Sequence, residues 1–132
     1  MTSKLLLGLL FSSLLLFQVG CNEDESSREL QRLNNQLNRL LEQFENAEQN
    51  FGPSANSDAL VQNAHWLDRM INYNKEIVGI EQRAVSLGAD PISDLRRELE
   101  TRLTRHIQTI QSDMHYVDAM HQMEIAKIWL DM

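Results

Sequence analysis

The segment MHYVDAMHQM, residues 114–123, gathers three methionines and two histidines within ten positions. Soft thioethers beside imidazole suit copper. On a helix Met120 and Met123, three apart, share a face with His121 beside them, and these three are the candidate metal ligands. Methionine at helical spacing also fills irregular gaps in apolar cores. That reading is preferred, and no metal or other cofactor is expected. The four histidines, His65, His106, His115 and His121, include no i,i+4 pair able to share an ion, and neither HExxH nor Glu-x-x-His occurs. Nor is there a recognisable serine or cysteine nucleophile constellation, glycine-rich phosphate loop or paired-carboxylate motif. A non-enzymatic protein is expected.

Arg96, Arg97, Arg102 and Arg105 form the one basic concentration. Glu98 and Glu100 lie among them, and Arg102 can pair with Glu98 one turn back. An ordinary solvated face accounts for such a mixture. The functional alternative is contact with anionic headgroups, to which each base near a charged surface contributes about 1 kcal/mol. These four arginines are therefore the candidate membrane-surface residues. Nucleic acid is not an expected partner, because the chain carries a formal charge of −7 and lacks the clustered bases that displace counterions.

The single cysteine, Cys21, lies in LLLFQVGCNEDE, residues 14–25, and has no disulfide partner in the chain. Before it runs KLLLGLLFSSLLLFQV, residues 4–19: one base, Lys4, then an apolar stretch without acid or proline. This is the layout of a secretory signal, and it falls short of the roughly 20 apolar residues that span a bilayer. With Val19 and Gly20 just ahead of it, Cys21 resembles the lipobox cysteine of bacterial lipoproteins, a resemblance confined to residues 1–22. The resemblance implies that the thiol receives a diacylglycerol, that residues 1–20 are removed, and that the new amino group is acylated. Gln18 departs from the leucine usual three positions before the cysteine. The alternative is conventional cleavage that leaves a free surface thiol. Two or three acyl chains anchor firmly where one binds marginally. In that family an aspartate directly after the cysteine commonly retains the protein in the inner membrane. Asn22 stands here, so the outer membrane, facing the periplasm, is expected, with the inner membrane as alternative. Without residues 1–20 the chain keeps eleven Lys and Arg against nineteen Asp and Glu, a balance of −8.

The remainder reads as helices. On the lipoprotein resemblance residues 21–27 are expected to be a lipidated cysteine and a polar tether, whose six residues NEDESS reach about 20 Å when extended. Ser26 and Glu29 make a capping box. Leu30, Leu33, Leu37, Leu40, Phe44, Ala47 and Phe51 then recur at steps of three and four until Gly52-Pro53. Ser57 is the expected cap of a second helix, striped by Trp66, Met70, Tyr73, Ile77, Ile80, Ala84 and Leu87 and terminated by Gly88. A row of Leu60, Ala64, Leu67 and Ile71 widens that stripe, enough for two partners. Asp90-Pro91 opens a third pattern through Ile92, Leu95, Leu99, Leu103, Ile107, Ile110, Met114 and Val117. No strand-like alternation and no internal repeat appears. Short connections make consecutive helices antiparallel. The expected fold is all-α: a three-helix up-down-up antiparallel bundle over residues 28–132, with coiled-coil-like heptads, helices near 27–51, 57–87 and 91–131, and a long third helix.

Those lengths correspond to about 37, 46 and 60 Å at 1.5 Å per residue. The third helix should therefore outrun its partners over residues 121–132, HQMEIAKIWLDM. Met123, Ile125, Ile128, Trp129 and Leu130 are too apolar to project into water unaccompanied and are the candidate interface. The leading functional expectation is a membrane-anchored accessory that binds another protein, as an assembly, chaperone-like or regulatory factor. The alternatives are a copper-binding or copper-sensing lipoprotein using the Met/His segment, and a structural lipoprotein that self-associates through its heptads.

Overall fold

The computed structural model describes Phe17, residues 25–52 and residues 56–131. The lipobox-like Val19, Gly20 and Cys21 lie outside the described residues. Three helices follow in order: α1 (Glu25–Asn50), α2 (Ser57–Ser86) and α3 (Ser93–Asp131). They run up, down and up. At one end Glu29 of α1 meets Arg83 of α2 and Glu81 of α2 meets the start of α3; at the other Gly52 is bound by Asn63. No strand occurs among the described residues. The fold is the all-α three-helix bundle.

One apolar cluster joins all three helices. It is built from Leu30, Leu33, Leu37, Leu41, Phe44 and Ala47 on α1, and Leu67, Met70, Ile77 and Ala84 on α2. Ile92, Leu95, Leu99, Leu103 and Ile110 add the third side. Leu41 is buried where the apolar row on α1 passes through Leu40, which is half-buried. Burying a leucine contributes roughly 1.5–3 kcal/mol, so this cluster is the main source of cohesion.

Helix ends depart from expectation in instructive ways. Ser26 lies inside α1, and Glu29 is taken by Arg32 and Arg83 rather than closing a capping box. Asn56, not Ser57, caps α2: its backbone is extended and its side chain accepts from the Ala59 N–H at 2.9 Å. At the far end Gly88, with φ +98°, places its N–H on Val85 C=O and the next N–H, of Ala89, on Ala84 C=O. That pairing is the Schellman stop, for which a positive φ is required. α3 begins two residues after Pro91. The Ile92 carbonyl accepts the first helical bond, from Arg96, and the Ile92 N–H is already held by Glu81 Oε2 at 2.9 Å.

Candidate interaction surface

Apolar cover along α3 ends early. Ile110 is its last buried residue; Val117 is half-buried, and residues 118–131 are all exposed. Phe51, just past α1, lies against His106 with ring centroids 4.5 Å apart, which places the top of α1 beside residue 106 of α3. The free part is thus about 20 residues, or about 30 Å, rather than the segment from residue 121 onward. The reason is where α3 joins the bundle: Ile92 docks at Glu81, five residues inside the end of α2.

All five expected interface residues lie on this projection. Met123 is 66% exposed, Ile128 62%, Trp129 71% and Leu130 86%, and Ile125 is exposed as well. Met114, Tyr116 and Met120 extend the apolar surface back toward the bundle. Met120, His121 and Met123, the candidate copper ligands, are exposed on the same segment. On a regular helix Met120 and Met123 stand about 60° apart, while His121 is about 160° from Met123.

The four arginines separate. Arg97 and Arg105 are exposed, Arg97 reaching only a loose 3.8 Å pairing with Asp94. Arg96 is half-buried and donates to Glu81 Oε1 at 2.8 Å. Arg102 is 3% exposed, so the expected membrane-surface role does not extend to it. Its partner is not Glu98 either. Arg102 Nε donates to Glu48 Oε2 at 3.0 Å, and its Nη2 reaches both Glu48 Oε1 and, at 3.2 Å, Glu45 Oε2. His106 Nε2 lies 2.7 Å from the same Glu48 Oε2. The cross-bundle acids of α1 win over the local one because Arg102 occupies the inward face of α3, one turn from Leu99. Burial pushes the Arg102 guanidinium below its usual range, and the Glu45 charge opposes that shift.

Two buried asparagines, absent from the candidate residues above, do related work. Asn63 accepts from the Gly52 N–H at 3.2 Å and donates to the Gly52 carbonyl, fastening the α1–α2 connection. Asn34, 1% exposed, accepts from the Phe17 N–H at 2.8 Å and donates to the Phe17 carbonyl at 2.9 Å. Phe17 falls within the expected leader, yet it is itself 1% exposed and belongs to the apolar cluster. Between α1 and α2 a solvent-open groove of about 460 Å³ is lined by residues that include Leu33, Leu40, Ile80, Arg39 and Glu76.

Among the described residues no three His, Cys, Asp or Glu side chains converge as a metal site, and no helix is long and apolar enough to cross a membrane. Comparison with protein-family models, with curated proteins and with solved structures gives no match for this chain.

Proposed function

We propose that the protein is a lipid-anchored envelope accessory that binds another protein through the free end of α3. The observation that carries the reading is the projection itself: about 20 residues of helix beyond Ile110, with Met123, Ile128, Trp129 and Leu130 in water. Exposed apolar surface on that scale marks an interaction site, and an amphipathic helix laid into a groove is a recurrent way of using one. The anchor rests on the lipoprotein-like leader and Cys21. A tether at Cys21 starts α1 near the membrane and directs the free end of α3 away from it. Arg97, with part of Arg96, remains available to anionic headgroups near the membrane, whereas Arg105 stands level with the far end of α1. Self-association through the same segment is the second reading, favoured by the lack of any cover for it among the described residues.

Deleting residues 123–132 tests the binding claim. The truncated chain should keep its melting temperature within about 2 °C, since residues 123–131 are all exposed. It should lose the partner recovered by cross-linking from intact membranes, or lose its own dimer in sedimentation. A truncation that unfolds the bundle would place the segment in the core and end the proposal. The anchor is tested separately: Cys21→Ser should accumulate as an unlabelled precursor, and normal maturation with membrane retention would refute it.

A further inference from the structure

Asn34 lies at the centre of a second surface, on the apolar side of α1. We infer that Asn34 and the apolar cluster around it form a recognition site for one aromatic residue of a non-helical peptide segment, supplied by a partner protein. The inference rests on the reading that residues 1–20 are removed, and it concerns a surface distinct from the end of α3.

The ligand chemistry follows from the occupant already seated there. A primary amide offers an acceptor and a donor side by side. Asn34 uses both on a single residue, taking the Phe17 N–H at 2.8 Å and giving to the Phe17 carbonyl at 2.9 Å. That is the exchange made by a hydrogen-bonded residue pair in a sheet, here performed by a side chain. A residue inside a helix has both groups committed to its own ladder, so this fork selects against helices. The side chain that accompanies the backbone is a phenyl ring, 1% exposed, within the cluster that holds Leu30, Leu37 and Leu41 on the Asn34 face of α1. The site therefore reads two features together: a free main chain and an aromatic ring.

The same fork occurs once more, where Asn63 grips Gly52. That bound residue belongs to the α1–α2 connection and stays with the domain. Phe17 precedes Cys21 and would leave with the leader. Its departure strips a buried amide of its donor and its acceptor and uncovers the cluster beside it. The uncovered apolar surface gains by being buried again, and the amide fork orients the main chain that returns, so the vacated position favours a replacement of the same kind. The free end of α3 from a second copy does not qualify, because within the helical Ser93–Asp131 the Trp129 N–H is already committed to the helix ladder.

The test uses the chain purified from membranes, with N-acetyl-Leu-Phe-Gln-Val-amide (the sequence of residues 16–19) as the probe. Mass spectrometry first reads whether residues 1–20 are gone. The processed chain should bind the probe and shift the Asn34 side-chain amide resonances. Two altered probes, one with alanine for phenylalanine and one N-methylated at the phenylalanine, should each bind at least tenfold more weakly. Absence of binding, equal binding of the three probes, or an unmoved Asn34 amide at saturation would each overturn the inference. If the mass shows residues 1–20 retained, the leader reading fails on its own. The site is then tested by Phe17→Ala in that chain, which should gain probe binding that the parent lacks; no gain overturns it.

Discussion

Arg102 brings a positive charge into the interior of the bundle, and Glu48, 1% exposed, is the carboxylate on which that charge depends. Glu48 is shared between Arg102 and His106, with Glu45 as a second acceptor at the edge. Taking two charges out of water costs nearly as much as their attraction returns, whereas orphaning one of them is severe. Arg102→Met removes one partner of Glu48 and leaves His106 in place, so it should destabilise the protein by about 1–3 kcal/mol in urea denaturation at neutral pH. Adding Glu48→Leu to it should recover most of the loss. A single variant no worse than an exposed charge change would show that the cluster is hydrated. Glu29 makes the contrasting case at the bundle's edge. Hydrogen bonds from Arg32 and Arg83 lower its carboxyl from 4.5 to about 2. A carboxyl lowered on folding stabilises the native state fully above its unfolded value, and that stabilisation fades as pH falls from about 4.5 toward 2. Glu29→Gln should flatten the acid limb of a stability-versus-pH curve over that interval and leave the curve parallel above pH 5. An unchanged slope between pH 4.5 and 2 would show that the two arginines do not hold the carboxylate in solution.

Each helix carries its apolar heptads with polar residues set into them. On α1 the series Leu30, Asn34, Leu37, Leu41, Phe44, Glu48 alternates steps of four and three, and every member is buried. On α2 Asn63, Leu67, Met70, Ile77, Glu81 and Ala84 follow the same rule, with half-buried Asn74 at the intervening position. The purely apolar row on α1 runs through Leu40 instead of Leu41, because the buried row is interrupted by the polar residues Asn34 and Glu48. Element types, order and the Gly88 stop are legible from periodicity and glycine placement. The polar heptad positions that bind Phe17, Arg102, Gly52 and Ile92 are not, since their partners are distant in sequence. Polar groups at such positions specify register at some cost in stability. α2 starts at Ser57 as expected but is capped by Asn56, a local competition between neighbours. The later start of α3 has the distant origin: the Ile92 N–H is claimed by Glu81 from another helix. Gly88 offers a clean test of local geometry. A Cβ there would meet nothing within 4 Å, so only its φ of +98° resists substitution. Gly88→Ala should cost about 1–2 kcal/mol by thermal melting. A neutral effect would mean that the stop does not need the left-handed conformation.

Docking Ile92 at Glu81 sets how far α3 outruns the bundle, and so places both tryptophans in different surroundings. Trp66 is half-buried, with the Arg69 guanidinium 4.8 Å from its ring centroid, whereas Trp129 is 71% exposed near the end of α3. With Trp66→Phe, emission comes from Trp129 alone, and its colour reports whether the projection is covered. In dilute purified protein Trp129 should emit as a water-exposed indole and be readily quenched by acrylamide. If a second copy covers the segment, raising the concentration should shift the emission to the blue and protect it in step with a doubling of mass in sedimentation. If another protein covers it, concentration should do nothing, while the cross-linked partner should produce the shift when added back. Ile128→Asp should abolish either effect. It should also leave the melting temperature almost unchanged, because surface substitutions of this kind usually stay within about 0.5 kcal/mol. A Trp129 already blue-shifted and protected in a dilute monomer would mean that the end of α3 folds back onto the bundle. The projection would then be part of the core rather than a surface held out for a partner.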